Sequence, residues 1–323
     1  MLNEVLENIW RMEIPLPGNP LKSINSYVIK GDGRHLIIDT GLDMVACEEA
    51  FVAGLAALSV DLHDADIFLT HLHADHVSLL SMLPPLGDSR VMIGGRDAAF
   101  LRAWTGWESV FGIAEAHGFP VDELRAQAAT NPFLKFQAGK LPAMVPLEGT
   151  EVLTVGGYAF QCVPTPGHTE GHLCLFEPTT RTLFSGDHIL GDITPNIQGW
   201  ASNRNPLVEY LDSLDVSAAR DVALVLPGHR QPFGNHGERI EQLQAHHRHR
   251  LDEALAALNG AGKTAYAAAP LLHWDYDVKD WDRWPLAQRW FATGEALAHL
   301  RWLVHAGLVS EECEDGRVLY RKG

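Results

Sequence analysis

One stretch of seven residues, THLHADH, constrains this 323-residue chain more than any other. It places three histidines and an aspartate within the six positions from His71 to His76, directly after the apolar run at 67–69. Residues two apart in an extended segment share a face, so His71 and His73 can face one ion while Asp75 and His76 reach a second. Imidazole and carboxylate groups bind zinc, iron and manganese. The stretch therefore predicts metal binding, the alternative being a histidine-rich surface loop.

Three further segments of the same chemical type follow, each at the end of an apolar run and beside a glycine. They contain His168 in PTPGHTEGH, Asp187 in LFSGDH and His229 in LVLPGH. A rigid sheet edge can hold such side chains in one constellation, while the loops admit substrate. The sequence therefore predicts one centre assembled from separate parts of the chain.

Together these motifs resemble the metallo-β-lactamase-fold hydrolase superfamily, in which HxHxDH is followed by PGH, SGD and a final GH. The resemblance covers about residues 5 to 235 and rests on seven matching positions, which makes it specific. It implies His71, His73 and His168 for one metal ion, Asp75, His76 and His229 for the other, and Asp187 as a bridge between them. One departure is Val77-Ser78 after His76, where many relatives have small residues; this concerns helix packing rather than metal ligation.

The resemblance also implies an α+β fold: an αββα metallo-β-lactamase sandwich with a helical insertion and a C-terminal helical or winged-helix domain. We expect the catalytic domain over residues 1–235, with the insertion at about 96–141, and the winged-helix-like domain over 236–323. The insertion is rich in aromatic residues, namely Phe100, Trp104, Trp107, Phe111, Phe119, Phe133 and Phe136. Such residues predict either an apolar lid over the metals or ordinary helix packing.

Local patterns predict the elements around these motifs. Short strands are expected where apolar runs alternate with turn signals, and helices at 43–59 and 237–258. The apolar stripe of the first helix is predicted to contain Val45, Phe51, Val52, Leu55 and Leu58. Asp315-Gly316 predicts the turn of a C-terminal hairpin.

Several polar residues have two interpretations. Asp39 in IIDTGLD either orients a metal ligand, as the resemblance implies, or caps a turn. His172 is a ligand-orienting or a core histidine, His188 is expected to point away from the metals, and His117 is expected to be structural. The HHRHR run at 246–250 has no carboxylate or cysteine partners by spacing, so it predicts a solvated or interdomain helix face rather than a metal site.

The composition limits the partners and the compartment. With 25 basic and 41 acidic residues, the net charge of −16 repels phosphate backbones and anionic membranes. We therefore expect a small-molecule substrate rather than nucleic acid or a membrane, and a homo-oligomer is compatible with the sequence. The acidic predicted wing favours a packing, lid or dimerisation role over DNA binding. Scattered cysteines without CxxC spacing, and the lack of a leader or a membrane-length apolar run, predict free thiols in a cytoplasmic protein. The cysteines are Cys47, Cys162, Cys174 and Cys313.

These observations predict a metal-dependent hydrolase with two divalent ions, zinc in preference to iron or manganese. The ions would lower the pKa of a bridging water to supply hydroxide, and Asp75 would orient that hydroxide or pass a proton to the leaving group. The expected substrate is an ester, thioester, lactone or related acyl bond in a small, partly apolar molecule.

Three alternatives remain open. The same centre serves phosphodiesterases and ribonucleases, although the acidity of this chain disfavours a long polyanion. An iron-dependent oxidoreductase shares the fold, but its diiron branch usually has a carboxylate at the position of His73 and carries a flavin domain. A non-catalytic module that has lost its metals fits poorly with seven ligand-type residues.

Overall fold

The computed structural model describes residues 1–127, 140–200 and 204–323, which form two compact units. Among these residues, the first unit comprises 1–104, 140–195 and 215–240, and the second comprises 105–127, 196–200, 204–214 and 241–323. Phe133 and Phe136 of the predicted insertion lie outside the described residues. The division at 235/236 and the lid role of the insertion stay predictions.

Two β-sheets form the framework of the first unit. The larger sheet contains β1 (Leu2–Leu6), β2 (Ile9–Pro15), β3 (Ser23–Ile29), β4 (His35–Ile38), β5 (Ala65–Leu69), β6 (Val91–Gly94) and β7 (Met144–Leu147), in that order. The smaller sheet contains β8 (Val152–Val155), β9 (Tyr158–Pro164), β10 (Leu173–Glu177), β11 (Thr182–Gly186) and β12 (Leu224–Pro227), in the order β12-β11-β10-β9-β8. With its helices, this framework confirms the predicted α+β sandwich of two sheets.

Strand β5 shows how the layers are held together. Phe68 packs in the core between the two sheets, while Ile67 and Leu69 pack on the opposite face with residues of the first helix. Strands β4 to β7 run parallel, so the carboxyl ends of β4, β5 and β6 lie at one edge of the sheet. A strand buried on both faces fixes the position at which the following residues leave the sheet.

The described helices are α1 (Val45–Leu58), α2 (Ala74–Val77), α3 (Gly95–Ala103), α4 (Glu108–Ala116), α5 (Val121–Gln127), α6 (Pro206–Ala218), α7 (His236–Ala257), α8 (Ala265–Ala268) and α9 (Leu286–His305). Helix α1 confirms the helix predicted at 43–59, but part of its predicted apolar stripe is wrong. Val45 and Val52 are 62% and 46% exposed, whereas Cys47 is buried. The buried face follows the helical spacing from Cys47 through Phe51 to Leu55, which excludes both valines.

The C-terminal part of the second unit ends in a two-stranded hairpin. Strands β13 (Val309–Glu314) and β14 (Arg317–Lys322) pair antiparallel, and Asp315 and Gly316 have φ of 49° and 76°. Positive φ at both central positions is what a tight hairpin turn requires, and the predicted hairpin is confirmed. In the described residues, no helix combines the length and apolar character needed to cross a membrane.

Candidate metal centre

The structure brings all seven predicted site residues together in the first unit. Their donor atoms form three groups, each with all atoms within 4.8 Å of one another. The groups are His71, His73 and His168; His71, His76 and Asp187; and Asp75, His76 and His229. Because the middle group shares members with both others, the residues form one continuous cluster.

The backbone that follows β5 directs the four members of the first motif to two parts of the cluster. His71 and His73 lie in the extended segment after the strand, with His71 Nε2 3.0 Å from His73 Nδ1. Helix α2 begins immediately afterwards, with His73 as its N-cap residue. The change from extended to helical backbone turns Asp75 and His76 toward His229 instead.

Asp187 occupies the middle of the cluster. Its Oδ2 lies 3.6 Å from His76 Nε2, 3.7 Å from His168 Nε2 and 3.5 Å from His229 Nε2. The carboxylate therefore lies close to histidines of all three groups.

The glycines beside the predicted ligands are required by this crowding. Gly186 precedes Asp187 with φ of +47°, and a Cβ there would lie 2.6 Å from Thr70 Oγ1. A Cβ on Gly228 would lie 2.6 Å from Asp187 Oδ1. Both positions therefore require a residue without a side chain.

Hydrogen bonds from neighbouring groups orient the imidazoles. His229 Nδ1 donates to the carbonyl of Ser23 at 2.8 Å, and His76 Nδ1 lies 2.9 Å from Asp39 Oδ2. With Nδ1 engaged in this way, Nε2 of each ring faces the cluster. Asp39 also accepts the Thr70 backbone N–H at 2.8 Å, so the structure favours the ligand-orienting interpretation of Asp39 over a turn cap.

Several buried donor atoms of the cluster fit a divalent cation. His76 Nε2, His229 Nε2 and Asp187 Oδ1 are buried without a hydrogen-bond partner in the described protein. Leaving buried polar atoms unsatisfied costs free energy, so such atoms call for a ligand. Imidazole nitrogens and a carboxylate at these separations are the donor set that zinc and similar ions bind.

The pKa values divide the cluster into two halves. Burial and the surrounding histidines lower the pKa of His71 well below its usual value, and burial lowers the pKa of His73 to about 3. Burial also opposes protonation of His76 and His229, but nearby carboxylates outweigh it. They raise the pKa of His76 well above its usual value and that of His229 to about 10.

The other histidines have different roles. His172 Nε2 accepts the Asp187 backbone N–H at 3.3 Å, and its ring stacks on His71 with centroids 5.1 Å apart, as expected of an orienting residue. His188 turns away to Ser217 Oγ at 3.0 Å, as predicted. His117 stacks on Tyr320 in the second unit, which supports its structural interpretation.

The prediction of a solvated or interdomain face for residues 246–250 is partly wrong. His247 and Arg250 are 1% and 4% exposed, whereas Arg248 and His249 are exposed. The buried pair continues one face of α7 at helical spacing, and that face packs inside the second unit.

Sequence reasoning missed two residues that support the cluster. Thr70 Oγ1 lies 2.8 Å from Asp39 Oδ2 and 3.0 Å from His71 Nδ1. Asp97, in the first turn of α3, accepts hydrogen bonds from the segments on both sides of the centre. A polar residue near the end of a strand resembles an ordinary cap in sequence. Only the position of Thr70 directly after β5, and that of Asp97 in the first helical turn after β6, could have drawn attention to them.

Comparisons with protein-family models cover most of the chain. Residues 19–229 match the model of the Metallo-beta-lactamase superfamily, and residues 251–323 match the model of the Metallo-beta-lactamase-like, C-terminal domain. The first match alone spans more than half of the chain.

Two relatives illustrate the similarity. The probable metallo-hydrolase YqjP of Bacillus subtilis (strain 168) is 26% identical over 272 residues, covering 80% of this chain and 83% of that protein. The acyl-coenzyme A thioesterase MBLAC2 of Homo sapiens is 26% identical over 242 residues, covering 69% of this chain and 78% of that protein. In two further relatives the aligned region spans only 60% of their length.

A solved structure agrees over the whole chain. The metallo-beta-lactamase family protein TTHA1429 from Thermus thermophilus superimposes with a TM-score of 0.81 and 30% identity, covering 99% of this chain and 100% of that one. The chain therefore belongs to the metallo-beta-lactamase superfamily and is an enzyme, a metallo-hydrolase of that fold.

Proposed function

We propose that this enzyme uses two divalent ions, zinc in the native protein, to hydrolyse a thioester or closely related acyl bond of a small, partly apolar substrate. The observation that carries the proposal is the position of Asp187 Oδ2, 3.5 to 3.7 Å from three imidazoles of the cluster. In this proposal His71, His73 and His168 hold one ion, Asp75, His76 and His229 hold the other, and Asp187 bridges them. Two such ions, when bound, polarise a carbonyl group and lower the pKa of water toward neutrality.

Asp75 has the features of a proton-handling group in this proposal. Burial raises the pKa of its carboxyl group, but the neighbouring imidazoles of His229 and His76 outweigh burial and hold the pKa below its usual range. An ionised carboxylate accepts hydrogen bonds, so Asp75 can orient a water molecule. It can then accept a proton from that water and pass the proton to the leaving group. Its side chain is 17% exposed, which leaves it accessible from solvent.

Differences in burial also indicate the side from which substrate approaches. His71, His76 and His229 are fully buried. His73, Asp75 and His168 retain exposed surface. The exposed members include residues from both proposed ion sites, so a carbonyl group arriving from this side can reach both.

The thioester assignment rests on the relatives. MBLAC2 is named an acyl-coenzyme A thioesterase, and other relatives are named atrochrysone carboxyl ACP thioesterases. Both names describe hydrolysis of an acyl thioester on a carrier, and a thioester needs no enzyme nucleophile beyond activated water.

A substrate panel tests the chemistry. The purified enzyme loaded with zinc should hydrolyse acyl-coenzyme A thioesters at a higher kcat/KM than lactones, simple esters or phosphodiesters. Preferred turnover of phosphodiesters would instead support the phosphodiesterase alternative. Iron in the protein as purified, together with redox turnover, would support the oxidoreductase alternative.

Removing one central ligand tests the centre itself. His71 belongs to two donor groups, so His71→Ala should remove bound metal and lower kcat/KM by about 10³-fold or more. His247→Ala is the matched control, because it removes a buried histidine of the second unit and should leave metal content and turnover nearly intact. Full activity in His71→Ala would refute the assignment.

We propose further that the hairpin after α9 is the wing of a winged-helix domain with a packing or dimerisation role, in a cytoplasmic protein. Glu311, Glu312 and Glu314 are exposed on β13, and Arg321 is engaged in ion pairs with Glu312 and Glu314. An acidic strand of this kind is unsuited to a phosphate backbone. Four free cysteines, three of them buried, fit a reducing compartment.

A further inference from the structure

Asp97 connects two of the segments that build the cluster through hydrogen bonds to residues adjacent to the predicted ligands. It is fully buried in the first turn of α3, directly after β6. Its Oδ2 accepts the Leu72 backbone N–H at 2.9 Å and the Thr169 hydroxyl at 2.7 Å. Its Oδ1 accepts the Gly171 backbone N–H at 2.7 Å.

These contacts are confined to one half of the centre. Leu72 lies between His71 and His73, and Thr169 follows His168, so the three partners flank the whole first donor group. Within the described chain, the hydrogen bonds of Asp97 include none from Asp75, His76 or His229. One carboxyl group therefore sets the spacing between the two segments that carry His71, His73 and His168.

Close backbone packing holds the Asp97 side chain in this position. A Cβ on Gly171 would lie 2.8 Å from Asp97 Oδ1 and would overlap the Asp97 backbone nitrogen. A Cβ on Gly94 would overlap the Gly171 carbonyl oxygen. The start of α3 and the segment at 165–172 can therefore approach only because both glycines lack side chains.

We propose that Asp97 is a positioning residue that tunes metal affinity at the His71, His73 and His168 site and leaves the Asp75, His76 and His229 site unaffected. The inference rests on the proposed function, because it presupposes that these groups bind metal. Its physical basis is that ligands must be held at fixed separations, and groups behind the ligands contribute about 10- to 100-fold to metal affinity. Three hydrogen bonds to one buried carboxyl group provide that restraint.

The test measures stepwise zinc affinity by competition with a chelator, without any substrate. All three partners of Asp97 donate hydrogen bonds, and the NH2 of an asparagine cannot accept one. In Asp97→Asn that NH2 therefore replaces the acceptor either of the Gly171 N–H, or of the Leu72 N–H and the Thr169 hydroxyl. We expect one binding step to weaken by about 10- to 100-fold and the other to change by less than about threefold. His73→Ala identifies the step that belongs to the first group, and the cobalt-substituted protein should show altered visible absorption bands for that ion alone.

Asp66→Asn is the matched control for a general loss of stability. Asp66 is a buried carboxylate at the other end of β5, and it accepts hydrogen bonds from Arg34 and Arg90. It should lower the melting temperature without a selective change in either zinc step. If Asp97→Asn does not fold, Thr169→Val removes one of the three hydrogen bonds and should weaken the same step about three- to tenfold.

The outcomes are separable. Two zinc ions in the wild type with both steps unchanged, or equally weakened, in Asp97→Asn would overturn the role of Asp97. Fewer than two zinc ions in the wild type would overturn the proposed dinuclear centre instead.

Discussion

Among the residues that the structure describes, each unit contains a group of adjacent histidines, and the comparison of the two groups shows what distinguishes a candidate metal site from a packed core. In the first unit, His71, His73, His76, His168 and His229 surround the carboxylates of Asp75 and Asp187. In the second unit, His247 and His299 stack with ring centroids 5.3 Å apart. Both groups contain histidines that are almost completely buried, so burial of histidine by itself does not predict metal binding.

The difference lies in the neighbours of the imidazoles. His299 Nδ1 donates to the Glu295 carbonyl at 2.8 Å, and its Nε2 lies 3.2 Å from His247 Nδ1. The nearby Glu295 carboxylate is engaged with Arg250 and Asn196. Burial lowers the pKa of His299 to about 3, so this imidazole stays neutral at neutral pH. Among the described residues, the His247 and His299 pair belongs to no group of three converging metal-ligand atoms. In the first unit, by contrast, the carboxylates of Asp75 and Asp187 face the imidazoles and complete groups of three donors.

The largest expected effect comes from removing the carboxylate that distinguishes the two histidine groups. Asp187→Asn keeps the size of the side chain but replaces a charged oxygen that contacts His76, His168 and His229. We expect both zinc steps to weaken and kcat/KM to fall by about 10³-fold or more. Metal analysis and steady-state kinetics check this. Two tightly bound ions in the variant would show that metal binding does not need the Asp187 carboxylate. The carboxylate would then not explain the difference between the two histidine groups.

A smaller effect is expected from the histidine pair of the second unit. His247→Ala should lower the free energy of unfolding by about 2 kcal/mol, because it leaves a cavity beside His299 and Tyr210. Metal content and turnover should stay close to those of the wild type. Denaturant unfolding and metal analysis on the same preparation measure both quantities. Loss of zinc in this variant would contradict the assignment of the pair to packing.

The last effect concerns stability alone and is its dependence on acid. Burial lowers the pKa of His117 to about 4 and that of His299 to about 3, below the unfolded value of about 6.5. When the pH is below the unfolded pKa but above the folded pKa of a histidine, the unfolded chain binds more protons than the folded protein. Stability that is present at neutral pH is therefore lost as the pH falls. The loss approaches about 1.4 kcal/mol per pH unit for each histidine. Unfolding measured between about pH 7 and pH 4 should show this slope, and a double substitution to glutamine should reduce it. An unchanged dependence of the free energy of unfolding on pH in the double variant would contradict the prediction.

How much of the site was predictable depends on the range of the interaction involved. The types and order of the seven site residues, the strands that precede them and the hairpin at Asp315-Gly316 all follow local patterns. The burial of His247 was also open to prediction but was missed, because this residue lies four positions from Leu243 and four from Leu251 on one apolar face of α7. The exposure of Val45 and Val52, in contrast, depends on which helix face meets the sheet.

The sequence by itself determined the family, the sandwich fold and the identity of the candidate site residues, because turn glycines and strand ends are short-range features. Only the tertiary structure decided that Asp187 lies among three imidazoles and that Asp39 and Thr70 orient His76 and His71. It also decided that Asp97 joins the segment of Leu72 to the distant segment of Thr169 and Gly171. These contacts arise where strand ends from two sheets meet, and no local pattern records which distant backbone N–H a carboxylate will bind.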